Sequence, residues 1–201
     1  MHRFLIVIIL ACFAVSCSEE RPVESSGADE VASGAEYSSF IPGGLVLLDT
    51  AVGHLDGDSI PDMVLVLKSP QEDSTSDVVD HPEPRPLLIL LGTAPGKYRL
   101  VARCDKSVFC VNCGGAMGDP YQGIIIRKGS FSIEHYGGSA EKWAYAVTHS
   151  YSGQDKEWYL DKLQTINYTF GEDSLESQES VKSVSDFGKI KSVDFDIYNI
   201  R

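Results

Sequence analysis

The sequence predicts an all-β fold, two antiparallel four-stranded units packed as one domain. Short apolar or alternating runs recur along the chain, and clusters of Gly, Pro, Asp and Ser divide them. No window carries an amphipathic helix of ten or more residues. In chain order, the first unit takes Gly44 to Asp49, Asp62 to Leu67, Pro86 to Leu91 and Tyr98 to Ala102. The second takes Gly123 to Arg127, Ser130 to Glu134, Lys142 to Thr148 and Glu157 to Leu163, with Ile166 to Phe170 continuing or pairing after it. Lys128-Gly129, between two alternating runs, signals a tight turn. Val193 to Tyr198 is expected to close the sheet at the C-terminus. The expected core comprises Val46, Leu48, Met63, Leu65, Leu88, Leu90, Ile125, Phe131, Trp143 and Leu160. An unrelated β-sandwich is the structural alternative. Gln71 to Arg85, polar and without an aromatic anchor, reads as a long disordered loop.

The 201 residues, 43% of them hydrophobic, suit one domain with a core large enough to fold alone. A formal net charge of -12 with scattered Lys and Arg excludes a nucleic-acid partner, because phosphate binding needs clustered cations. It equally excludes simple electrostatic docking on anionic lipid.

Residues 1–16 read as a secretory signal. Met1-His2-Arg3 is positively charged, and Phe4 to Phe13 is an apolar run too short to span a bilayer. Ala14-Val15-Ser16-Cys17 resembles the lipobox of bacterial lipoproteins. That resemblance implies lipidation of Cys17 as the first mature residue, and several acyl chains on one residue suffice for stable anchoring. Residues 17–37, rich in Ser, Gly and acidic groups, form an expected flexible tether with a reach on the order of 25 Å. Ser18-Glu19-Glu20 resembles the acidic tag of some surface-directed Bacteroidetes lipoproteins. The expected location is the bacterial cell envelope, lipid-anchored at the outer membrane. Residues 38–201 are the expected β domain.

Between the first two strands, Asp56, Asp58 and Asp62 are spaced so that a tight loop can aim three carboxylates at one point, with the Ile60 carbonyl as a further hard donor. His54-Leu-Asp56-Gly-Asp58-Ser59-Ile60-Pro-Asp62 resembles the D-x-[DN]-x-D-G-x-x-D loop of the FG-GAP or VCBS repeats of integrin-like β-propellers and related bacterial lipoproteins. His54 stands where that pattern has its first Asp, and Ser59 where it has Gly. The resemblance implies a propeller-blade-like fold and a degenerate Ca2+-binding loop with Asp56, Asp58, Ile60, Asp62 and His54 as candidate ligands. The bland reading is a turn in which Asp56 and Asp58 bond backbone amides.

Three cysteines remain in the mature chain: Cys104, Cys110 and Cys113. Export favours one disulfide among them over a metal or redox centre, since neither a βαβ context nor a fourth zinc ligand accompanies the C-x2-C spacing. A bridge from Cys104 to Cys113 would close the larger loop and one from Cys110 to Cys113 the smaller, and the pairing stays open.

Cys113-Gly-Gly-Ala-Met-Gly-Asp-Pro-Tyr and His135-Tyr-Gly-Gly-Ser-Ala-Glu-Lys-Trp143 are similar to motifs of a group of bacterial exported proteins that share the cation-loop start. The similarity implies a common fold and no activity. Turns explain the paired glycines, and the sharper reading is a binding surface built from Tyr136, Gly137, Gly138 and Trp143. No catalytic motif occurs: G-x-S-x-G, H-E-x-x-H and a phosphate-cradling loop are all absent. His54, His81, His135 and His149 read singly as surface or core histidines. The expected function is a non-catalytic interaction or envelope-scaffold module with an envelope protein or glycan as partner. A small hydrolase acting on envelope glycans or peptides is the alternative.

Overall fold

The computed structural model describes residues 37–170 and 174–199, all within one compact unit. The signal segment, Cys17 and nearly all of the tether lie outside these residues.

Two antiparallel sheets form in sequence order. The first contains β1 (Val46–Gly53), β2 (Asp62–Lys68), β3 (Leu87–Ala94) and β4 (Lys97–Cys104). The second contains β5 (Tyr121–Arg127), β6 (Ser130–Gly138), β7 (Lys142–Ser152), β8 (Glu157–Phe170) and β9 (Leu175–Ser183). The fold is therefore all-β and built of two units, but the second sheet has five strands where four were expected. The Lys128-Gly129 turn joins β5 to β6, with Gly129 at φ 77°, where glycine carries no Cβ penalty.

The unbroken apolar runs of β2 and β3 are explained by burial on both faces, since an alternating pattern is needed only where one face is wet. Met63, Leu65, Leu67, Leu88 and Leu90 pack beneath residues of the entering segment, Tyr37, Phe40, Ile41 and Leu45. On the opposite face Val64, Val66, Leu87, Ile89 and Leu91 pack with Phe131, Ile133 and Trp158 of the second sheet. β6 alternates instead, burying Phe131, Ile133 and His135 and leaving Ser132, Glu134 and Tyr136 half-buried on the other face.

Several expectations are corrected. Val46 and Ile125 are 40% and 38% exposed and lie outside the core. Val193 to Tyr198 is not a strand but two 3-10 turns, Ser192–Asp194 and Ile197–Asn199. The alternation that imitated a strand serves burial all the same: Phe195 and Ile197 close a third cluster with Val147, Leu160 and Leu163. Gln71 to Arg85 is not a structureless loop. It carries the helix α1 (Glu72–Thr75), a bridge between Asp77 and His81, and two fully buried charges, Glu72 and Arg85. A second short helix, α2 (Val184–Phe187), follows β9 behind a Ser183 and Asp186 capping box.

Candidate functional site

The acidic loop between β1 and β2 is held by its own amides. Asp62, at the first position of β2, is fully buried; its Oδ2 accepts the N–H groups of Leu55 at 2.6 Å and Asp56 at 3.3 Å, and its Oδ1 accepts that of Gly92 on β3 at 2.9 Å. Burial holds the Asp62 carboxyl above the ordinary carboxylate range, against the pull of these amides. Asp56 accepts Asp58 N–H and Asp58 accepts Ile60 N–H, two successive Asx turns. His54 is exposed. Among the described residues no three His, Cys, Asp or Glu side chains converge as a ligand set. Both Asp62 oxygens accept backbone amides, and Oδ1, with a single such bond, keeps a further lone pair. Asp62→Ala leaves three amides near β2 without an acceptor and is expected to cost about 3 kcal/mol or more in urea unfolding.

Around Arg85 lies a buried charge cluster. The guanidinium meets Glu72 through Nε at 3.0 Å and Nη2 at 2.7 Å, and Asp119 through Nη1 at 2.7 Å and Nη2 at 2.6 Å, while Nη1 also donates to Phe109 O. Every guanidinium N–H is engaged, so nothing is left for a ligand. Arg85 holds the Asp119 carboxyl below its ordinary range even against the burial that raises it. The cluster ties the 69–86 segment to the 105–120 segment.

His135 and His149 are buried, and desolvation pushes each down to about 3, so both are neutral at physiological pH. His135 Nε2 accepts Phe109 N–H at 3.3 Å. His149 stacks on Phe131, with its Nδ1 2.9 Å from Ser192 Oγ. This His–Ser pair is sealed in the core, where no substrate reaches it. His54 and His81 are exposed.

The disulfide joins Cys110 to Cys113, the smaller of the two loops considered, and Cys104 is a free, buried thiol pushed up to about 12 by desolvation. The bridged loop is fixed by Cys110 N–H donating to Tyr198 Oη at 2.9 Å. It carries Phe109 into a ring cluster with Trp143, Tyr145, Tyr198 and His135.

Tyr136, Gly137, Gly138 and Trp143 do not share one surface. Gly137 pairs with Trp143 and Tyr136 with Ala144, so Tyr136 and Trp143 lie on opposite faces of the sheet. Gly137 and Gly138 are buried. A Cβ on Gly137 would stand 2.5 Å from the Trp143 ring and 2.9 Å from Gly114 Cα, so glycine is required there for packing.

The outer face of the second sheet has a different character. Its rows run Tyr136, Ala144, Ile166, Glu179 and Glu134, Ala146, Gln164, Val181 across β6 to β9. Two alanines in the middle strand between longer side chains leave an open recess of about 370 Å3, within the range of small-molecule sites. Gln122 lines it from β5. Tyr136 meets the Tyr168 ring edge-on at 6.4 Å between centroids. Of these residues sequence reading named only Tyr136. The available signal was the alternation Trp143-Ala144-Tyr145-Ala146-Val147, in which every second residue is small. Beside the recess β9 is an edge strand, with Leu175 and Val181 56% and 52% exposed.

Among the described residues no helix is long and apolar enough to cross a membrane. Compared with known proteins, the chain matches no family model and no curated relative.

Proposed function

We propose that the protein is an exported, lipid-anchored, non-catalytic binding module of the bacterial cell envelope, engaging an envelope protein or glycan through the outer face of its five-stranded sheet. The open recess over Ala144 and Ala146 supports this reading. Aromatic, polar and small side chains meet around this concavity, while Arg85, His135, His149 and Asp62 are hydrogen-bonded inside the fold. The hydrolase alternative would require an accessible base beside a nucleophile, and the His149–Ser192 pair is closed to solvent. A photo-crosslinking side chain at Val181, introduced into the full-length protein in cells, is expected to capture an envelope component, whereas the same group at Val79, 82% exposed on the first unit, captures none. Equal capture from both positions would overturn the assignment of the face.

For the anchor, Cys17→Ala is expected to move the protein from the membrane fraction to the soluble one, and unchanged detergent partitioning would contradict lipidation. For the acidic loop, we read the FG-GAP-like pattern as a turn that closes without calcium. The melting temperature is expected to be the same in excess calcium and in chelator, because only a ligand that binds the folded state raises it. A calcium-dependent rise would reinstate the ion.

A further inference from the structure

The recess specifies the chemistry of its occupant, and on the reading that this face binds a partner, we infer that the partner is a neutral oligosaccharide, held without being cleaved. The lining is rich in acceptors. Glu134 is half-buried, and its carboxylate has neither a hydrogen bond nor an ion pair among the described residues. The Gln164 amide nitrogen donates to Glu179 at 2.7 Å, and that of Gln122 to Pro120 O and Tyr121 O, both at 3.2 Å. Each glutamine therefore keeps its carbonyl oxygen for an incoming donor.

A ligand suited to these groups brings several donors and little charge. Sugar hydroxyls donate to the carboxylate and the two amide oxygens, and the C–H face of a pyranose packs on a tyrosine ring. Anions are disfavoured, because Glu134 is the one charged side chain lining the recess among the described residues and the chain is acidic throughout. The cations on this face, Lys142, Lys162 and Arg127, stand in the rows beyond it, paired with Tyr168, Thr148 and Ser130. An extended peptide recognised by strand addition would pair with the free edge of β9 rather than enter the recess on the sheet face, and so would not use these side chains.

The same lining explains why cleavage is not expected. Glycoside hydrolysis uses two carboxylates flanking the scissile bond, and Glu134 has no second carboxylate across the recess. Glu179, the next acid on this face, is held by Gln164.

Calorimetric titration of the full mature chain with chitotetraose, cellotetraose and maltotetraose tests the inference, with a neutral tetrapeptide and a Lys-rich tetrapeptide as comparators. At least one tetrasaccharide is expected to bind and to be recovered intact, and neither peptide to bind. Tyr136→Ala is expected to weaken binding on the order of tenfold. Ala146→Trp, which fills the recess, is expected to abolish it. Both variants are checked for an unchanged melting temperature, and Glu134→Gln provides a third that alters neither packing nor volume. If no tetrasaccharide binds, or binding survives Ala146→Trp, the saccharide inference is wrong. The binding-face reading then stands if crosslinks still form from Val181 and falls if they do not. Binding of the Lys-rich peptide alone would assign the recess to cationic protein segments, and shortened saccharide products would overturn the non-catalytic assignment.

Discussion

Arg85→Ala is expected to cost the fold about 3–5 kcal/mol, the penalty for breaking a buried ion pair and leaving its partner charged. Glu72 is buried, and among the described residues its only cation without Arg85 is Lys68 at 3.4 Å, itself partly exposed. Asp119, whose side chain is 40% exposed, can be rehydrated, so Asp119→Asn is expected to be considerably milder. Against a typical domain stability of about 5–15 kcal/mol, the Arg85 loss leaves a marginal or unfolded protein. Urea unfolding of the purified variants measures both. Were Arg85 a ligand-binding residue, its removal would spare stability and alter binding, the reverse of this expectation.

Acid is expected to unfold the protein well above the carboxylate range. The two buried histidines have folded values near 3 against an ordinary 6.5. Between those limits the unfolded chain binds more protons, so stability rises with pH, is complete above about pH 7 and is lost as pH falls. Each group contributes a slope of about 1.4 kcal/mol per pH unit once well below 6.5, and the pair about 4 kcal/mol by pH 5. Asp62, held above its ordinary value, takes up its proton earlier in the folded state and offsets part of this loss. Asp119, held below its ordinary value, adds to the loss only as pH falls below the normal carboxylate range. Urea midpoints from pH 7.5 to 5 follow the effect, and His149→Asn, neutral throughout, is expected to halve the slope. A stability that is flat over that window would mean that both rings gain partners on protonation.

The parts of the fold legible in the sequence were those set by local pattern. β2 and β3 read as strands because their runs are apolar on both faces, and β6 because it alternates. β9 was not legible: Leu-Glu-Ser-Gln-Glu-Ser-Val-Lys-Ser has no buried face, and what forms the strand is a nine-residue ladder to β8. The C-terminal Asp-Phe-Asp-Ile run deceived because the spacing that sends Phe195 and Ile197 inward is shared by strands and by successive tight turns. Arg85 and Glu72 looked like loop polarity because Asp119, the partner that makes them core residues, lies 34 positions beyond Arg85. The acidic loop was found as a loop, but the direction of the Asp62 carboxylate, inward to Leu55 and Gly92, depends on β3, which the motif does not contain. The recess was missed for a similar reason. Ala144 and Ala146 become a floor only when Glu134, Tyr136, Gln164 and Ile166 from the flanking strands stand beside them.

The most direct test of the outer face as the binding surface is crosslinking yield from Val181 in cells carrying the full-length protein, compared between the parent and Ala146→Trp. The indole occupies a solvent-facing recess that the core does not use, so the melting temperature is expected to stay within about a degree, as for most surface substitutions. Capture is expected to disappear. Undiminished capture in a folded Ala146→Trp protein would contradict the account.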